Sequence, residues 1–125
     1  MMKRFWILLS VLPIIMACGK SESEMAQEAG ARVLADARQA FVSGRYSEAR
    51  DSIMALRERY PLALQARNEA IVLLDSIELA AAEDSLRNFR GDSKKNRNTL
   101  VPEQERLSVK VKFYKRKLKE DLAKQ

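Results

Sequence analysis

Glycine and proline are rare in this chain, and their positions leave long segments without a helix breaker. The 125 residues contain four glycines and three prolines. Gly44, Pro61 and Pro102 fall between segments of helical periodicity. Those segments are rich in Ala, Leu, Arg, Lys and Glu, which are strong helix formers. Only residues 109–113 alternate as a strand would, and they lie inside a stronger helical pattern. The sequence therefore predicts an all-α fold.

The first two predicted helices flank Gly44 and end before Pro61. The first runs from about Met25 to Ser43, and the second starts near Ser47. Gly44 suits the end of the first helix because glycine adopts the left-handed backbone that helix ends often need. The two apolar stripes contain Val33, Ala37, Ala40 and Phe41 in the first helix, and Tyr46, Ala49, Ile53, Leu56 and Tyr60 in the second.

A long third helix and a basic fourth helix are predicted after Pro61. The third runs from about Leu62 to Asn88, and residues 91–101 are predicted to form a polar loop. Pro102 is expected to open a basic amphipathic helix over residues 102–125, since proline suits the first helical position. The apolar face of the third helix contains Ala66, Ala70, Leu73, Leu74, Ile77, Ala80 and Ala81.

The last predicted helix has charges and apolar residues in an ordered pattern. Glu103 and Glu105 suit the positive end of the helix dipole, and the lysines of the last turns suit the negative end. Its apolar residues alternate four and three positions apart, as in a coiled-coil seam, and Asp121 breaks the next position. We take four residues as a candidate helix interface: Leu107, Val111, Tyr114 and Leu118.

The first 17 residues have the features of a signal peptide. Lys3 and Arg4 supply a basic start, and the apolar run over residues 5–16 follows directly. That run is close to about 12 residues, whereas a spanning helix needs about 20. Pro13 lies inside it. A cleaved export signal is therefore favoured over a transmembrane anchor.

The end of the apolar run, Ile15-Met16-Ala17-Cys18, resembles the lipobox of bacterial lipoproteins. Met16 is the departure, because a smaller residue is more usual there. The resemblance implies cleavage between Ala17 and Cys18, a diacylglycerol on the Cys18 thiol, and an acyl chain such as palmitate on the new amino terminus. An ordinary secretory signal or a short anchor is the alternative.

The residues around Cys18 also bear on location. Cys18 is the only cysteine, so the exported chain can form no internal disulfide. Gly19 stands where many Gram-negative lipoproteins of the inner membrane have aspartate, so the resemblance implies the outer membrane. Residues 18–24 are predicted to be a polar tether, and residues 20–24 also resemble the export tags of surface lipoproteins.

Residues 44–61 resemble one tetratricopeptide (TPR) repeat, and residues 25–90 are expected to form a TPR-like helical domain. The matching residues are Gly44, Tyr46, Ala49, Ile53, Leu56 and Pro61. The resemblance implies that Ala49 permits close helix approach, Tyr46 wedges between the helices, and Pro61 ends the second helix. Val33, Asp36 and Ala37 depart from the repeat, and Glu78 stands where a second repeat would have glycine. A plain helical hairpin is the alternative.

A single hairpin of this kind cannot bury a continuous core, since stacked repeats need about three units. The third helix could cap it, the last helix could fold back on it, or its apolar faces could bind another copy or a partner protein. The predicted function is accordingly a small protein-interaction or structural module, attached to a membrane through its lipid.

Catalysis is not expected, because the chain has no histidine and Cys18 would be acylated. Glu83–Asp84 and Glu120–Asp121 are adjacent on helices, where neighbouring side chains point about 100° apart. Ser43, Ser52 and Ser76 have no nearby base in sequence, and no glycine-rich phosphate loop is present. We therefore predict no enzyme activity, metal, cofactor or small-molecule substrate.

The charge distribution suggests a second function. The net charge is +6, and residues 87–125 hold most of the excess lysine and arginine. This basic helix could contact anionic lipid or envelope polymer, or it could simply favour solubility. Nucleic acid is not expected, because an exported protein rarely meets it and only Phe113 and Tyr114 are available for stacking.

Overall fold

A computed structural model describes residues 19–91 and 97–125 of the chain. Four helices occupy nearly all of these residues: α1 (Glu22–Val42), α2 (Tyr46–Arg59), α3 (Leu64–Gly91) and α4 (Arg97–Ala123). No strand occurs among the described residues. The predicted all-α class is confirmed, and residues 109–113 are helical.

Helix α1 begins earlier than predicted because its first turn is capped by side chains. Ser21 Oγ accepts the backbone N–H of Glu24, and the Glu24 carboxylate accepts the backbone N–H of Ser21 at 3.0 Å. This reciprocal pair satisfies two N–H groups that a helix start otherwise leaves free. The predicted tether over residues 18–24 is wrong for residues 22–24, which are helical.

Helices α1 and α2 form a hairpin, and α3 packs against both of them. Gly44 lies in the turn of the hairpin with φ of +76°, a backbone that L-residues with a Cβ rarely adopt. The core between the three helices is built largely from small residues, with Leu34, Ile53, Leu56 and Ile77 as its large side chains. Its alanines are Ala37, Ala40, Ala49, Ala63, Ala66 and Ala70.

Helix α4 runs antiparallel to α3 and packs along it. Lys115 near the middle of α4 pairs with Glu83, and Gln125 Nε2 after its end donates to the Asn68 carbonyl oxygen at 2.9 Å. No close backbone approach of α4 to α1 or α2 occurs within the described ranges. The backbone of the last helix therefore folds back on the body along α3.

The start of α4 differs from the prediction. Pro102 lies inside the helix, which already begins at Arg97, so it does not open the helix. Proline at this sixth position removes one backbone hydrogen bond, the one to the carbonyl of residue 98. The predicted loop over residues 91–101 is too long at both ends. Gly91 belongs to α3, and residues 97–101 belong to α4. Residues 92–96 lie outside the described residues.

Candidate functional site

The hairpin residues singled out in the sequence divide between the core and the turns. Ala49, Ile53 and Leu56 are completely buried. Tyr46 is half-buried, with its ring centroid 5.9 Å from that of Phe41. The remaining two, Gly44 and Pro61, are exposed in the turns that follow α1 and α2. These six residues thus hold the hairpin and offer no reactive group to a ligand.

A close approach between α1 and the start of α3 occurs at Gly30, which was not predicted from the sequence. A Cβ added at Gly30 would lie 2.6 Å from Ala63 Cβ and 3.0 Å from Leu56 Cδ1. A separation of 2.6 Å is too short for two carbon atoms, so this position of α1 requires glycine. The available signal was a lone glycine within a helical pattern, which often marks a packing constraint.

The predicted helix interface of α4 faces α3. Val111 is buried, and Leu107, Tyr114 and Leu118 are half-buried. The Tyr114 ring also contacts the neighbouring Phe113 ring edge-on, with centroids 5.1 Å apart. Of the alternatives left open by the sequence, capping of the hairpin by the third helix is found, and the last helix packs on α3 instead of on the hairpin.

A charged cluster continues this interface beyond Leu118. Lys117 Nζ lies 2.6 Å from Asp75 Oδ1 and 2.8 Å from Asp121 Oδ2, and Lys124 Nζ lies 3.1 Å from Asp121 Oδ1. Asp75 is 2% exposed, and its Oδ2 has no hydrogen-bond donor among the described residues. Asp121, which breaks the apolar seam in the sequence, therefore continues the interface with polar contacts.

The cluster shifts the pKa of each of its three central groups. Burial raises the pKa of Asp75, because desolvation disfavours its charged form. Hydrogen bonds, chiefly from Lys117, hold the pKa of Asp121 well below its usual range. Hydrogen bonds to Asp121 and Asp75 raise the pKa of Lys117. One ammonium held between two carboxylates favours docking of α4.

Of the two acidic pairs considered in the sequence, Glu83–Asp84 makes interhelical contacts. Asp84 Oδ2 accepts the Tyr46 hydroxyl at 3.0 Å, which raises the pKa of Tyr46, while Glu83 pairs with Lys115. In the second pair, Glu120 is exposed and Asp121 turns toward α3. Neither adjacent pair converges on one point; the carboxylates that approach each other are Asp75 and Asp121.

An open groove lies on the surface between α2 and α3. We call it the α2–α3 groove, and it has a volume of about 370 Å³. Its lining contains two arginines, two apolar side chains and one amide, and no carboxylate: Arg57, Leu64, Arg67, Asn68 and Ile71. Asn68 and Ile71 also line a second groove of about 610 Å³ that continues toward the end of α4. The two grooves thus share residues of α3 and form one continuous surface.

Metal binding, membrane spanning and the anchor involve other parts of the chain. The described residues hold no group of three or more potential metal ligands. Among the helices described, none is both long and apolar enough to cross a bilayer. Ala17 and Cys18, the predicted cleavage and lipidation residues, lie outside the described residues. Comparisons with protein-family models, with curated proteins and with solved structures gave no match.

Proposed function

We propose that this chain is a lipoprotein of the bacterial cell envelope. It is anchored through acylated Cys18, in the outer membrane in preference to the inner one. Its helical body is a small TPR-like module that binds another envelope protein. The lipobox-like residues support the anchor, and the buried Ala49, Ile53 and Leu56 support the TPR-like packing of the hairpin.

The observation that carries the interaction role is the α2–α3 groove. Helix α4 packs on α3, yet it leaves Leu64 and Ile71 of α3 exposed. Met54, one turn before Arg57 on α2, adds an exposed apolar side chain. A recess with exposed apolar side chains that remains open after all four helices have packed is a surface available to a partner.

The lining of the groove indicates the chemistry of that partner. Arg57 and Arg67 provide positive charge, and no carboxylate of the groove lining neutralises them. Arg67 Nη1 is held at 2.9 Å from the Pro61 carbonyl oxygen, which fixes its side chain beside the groove. The complementary ligand is a segment of an envelope protein that carries carboxylates between apolar side chains.

The position of α1 supports a module that works at the membrane. Helix α1 begins at Glu22, four residues after Cys18. Four residues of extended chain span at most about 14 Å. Acylation of Cys18 would therefore hold the helical body against the bilayer, within reach of other proteins anchored in the same membrane.

Replacement of the cysteine tests the anchor. Cys18→Ser is expected to abolish labelling of the protein by a fatty-acid analogue and to release it from the membrane fraction. Ser21→Ala, in the same segment, is the matched control and should remain labelled and membrane-bound. Full acyl labelling of the Cys18→Ser variant would refute the lipoprotein proposal.

Site-directed photocrosslinking tests the interaction surface. A photoreactive residue at Asn68 is expected to form a defined adduct in intact cells, whereas one at exposed Asp36 of α1 is not. Arg57→Glu and Ile71→Asp should each remove the Asn68 adduct. Val42→Asp, at an exposed apolar position away from the groove, should preserve it. An adduct that survives both groove variants would contradict the assignment of this surface.

A further inference from the structure

Helix α4 carries a second apolar strip on the side turned away from α3. Val109 is 65% exposed and Phe113 is 47% exposed. They are four residues apart, so they lie on one face of the helix. Val111, on the α3 side, is 8% exposed. Because the docked seam fixes the rotation of α4, Val109 and Phe113 are held outward.

Cations border this strip on both sides. By helical periodicity Lys112 and Lys119 lie on one flank of it and Lys110 on the other, with Arg116 near its centre. All four are exposed, and none is in an ion pair with a carboxylate of the described residues. Lys115 and Lys117, by contrast, pair with residues of α3. The outward cations are therefore available to an anionic surface.

Carboxylates on the same helix do not cancel this charge. Glu105 borders the strip, Glu120 lies on its line seven residues after Phe113, and Glu103 pairs with Arg106. The cations that border Val109 and Phe113 outnumber the acids. An exposed apolar strip flanked by cations is the arrangement of helices that lie in the interfacial plane of anionic membranes.

The order of the helices places part of this face near the anchor. Helix α1 runs parallel to α3, since its Gly30 approaches Ala63 and its Arg38 pairs with Glu69. Helix α4 runs the opposite way, with Gln125 bonded to Asn68. The start of α1 and the end of α4 consequently lie at the same end of α3.

We propose that the outer face of α4 lies on an anionic phospholipid bilayer, with Val109 and Phe113 among the headgroups and the flanking lysines against lipid phosphates. The inference rests on the proposed lipid anchor for bringing the helix to the membrane. It extends that function by assigning the membrane-facing side of the body, and it leaves the α2–α3 groove for the protein partner.

A single tryptophan placed on this face tests the proposal. The chain has one tryptophan, Trp6, so Phe113→Trp combined with Trp6→Phe creates a unique fluorophore. The matched control is Met54→Trp in the same background, on α2. Each acylated protein is reconstituted into vesicles of phosphatidylcholine, with or without phosphatidylglycerol, that contain lipids brominated near the headgroup.

Fluorescence at position 113 is expected to be quenched in phosphatidylglycerol vesicles, and position 54 is expected to remain unquenched. Lys110→Glu with Lys112→Glu should reduce that quenching at least about fivefold, since each cation near an anionic surface contributes about fivefold to binding. Added salt should reduce it as well.

Several results would overturn the proposal. These are an absence of quenching at position 113, equal quenching at position 54, or equal quenching in vesicles of phosphatidylcholine alone. A concentration-dependent spectral shift at position 113 without lipid would show instead that a second copy covers this face. Acyl labelling of Cys18 reports the anchor separately. If the chain is not acylated, the tryptophan at position 113 can be placed in the Cys18→Ser chain and mixed with preformed anionic vesicles. Quenching by the brominated lipids then still tests whether α4 contacts the bilayer.

Discussion

Lys117 and Asp75 are 42 positions apart in the chain, and the Lys117 ammonium lies 2.6 Å from Asp75 Oδ1 in the interface between α4 and α3. The same ammonium also contacts Asp121 on its own helix. Ionised Asp75 is buried, so removal of its counterion would leave a charge without compensation. This cluster makes docking of the last helix depend on a specific charge arrangement as well as on apolar packing.

Lys117→Met is expected to lower the free energy of unfolding by about 2 kcal/mol, a value below that of fully buried pairs because Lys117 is partly exposed. Lys112→Met, which removes a cation with no ion-pair partner in the described structure, should change it by less than about 0.5 kcal/mol. Chemical denaturation followed by circular dichroism measures both. Equal effects of the two variants would show that the cluster contributes nothing specific.

The raised pKa of Asp75 gives a pH dependence of known sign. Folded Asp75 binds a proton more readily than the unfolded residue, so its contribution to stability increases as the pH falls through the raised folded pKa. The increase is complete below the unfolded pKa of about 3.9. The stability of the wild type relative to Asp75→Asn should therefore rise between pH 7 and pH 4, as measured by denaturation at each pH. A difference that stays constant or falls would contradict the assignment.

Much of the fold follows from local sequence signals. The breaks at Gly44 and Pro61 and the apolar stripe of α2 predict the hairpin, because backbone restrictions and helical periodicity act over only a few residues. The start of α4 could not be located in this way. Pro102 suits a helix start, but the sequence does not show that the chain is already helical five residues earlier.

The interhelical charges could not be located from the sequence either. Asp75 lies among Leu73, Leu74 and Ile77, and it is recognisable as buried only once α4 is known to cover that side of α3. Gly30 was missed for the same reason, since its role depends on Ala63 across the interface. The local sequence predicts features within one helix, but it does not show which residues of two helices will contact each other.

Gly30→Ala is expected to reduce the free energy of unfolding by about 2 kcal/mol, because overpacking outweighs the helix propensity gained. Ala63→Gly in the same chain removes the atom that the new Cβ would meet at 2.6 Å. The double variant should therefore be less destabilised than the sum of the two single variants. Thermal denaturation of all four proteins measures this coupling, and simple additivity would show that the contact is not limiting.

Gly44→Ala tests the backbone of the turn without any change in packing. The φ of +76° is strained for alanine, and a Cβ at this position would meet no atom within 4 Å. The expected loss is about 1 kcal/mol. Gly44→Asn should be less destabilising, because asparagine tolerates the left-handed region better. Denaturation curves that rank alanine above asparagine would contradict this explanation.

Val111→Asp tests whether α4 can detach while the other helices stay folded. A carboxylate in place of the buried Val111 side chain removes an apolar contact and must lose hydration if α4 stays docked, so we expect α4 to lose its contact with α3. Amide hydrogen exchange in α4 should accelerate at least about tenfold. The amides of α1 and α2, whose core does not include α4, should keep their protection.

Val109→Asp is the matched control for that experiment, because it introduces the same carboxylate two residues earlier at a position that faces outward. It should leave exchange in α4 unchanged. Equal acceleration by the two variants would mean that helix propensity, not docking on α3, protects α4. Faster amide exchange in all four helices of Val111→Asp, but not of Val109→Asp, would mean that the four helices unfold as one unit. Loss of the α4 contact would then destabilise the hairpin as well.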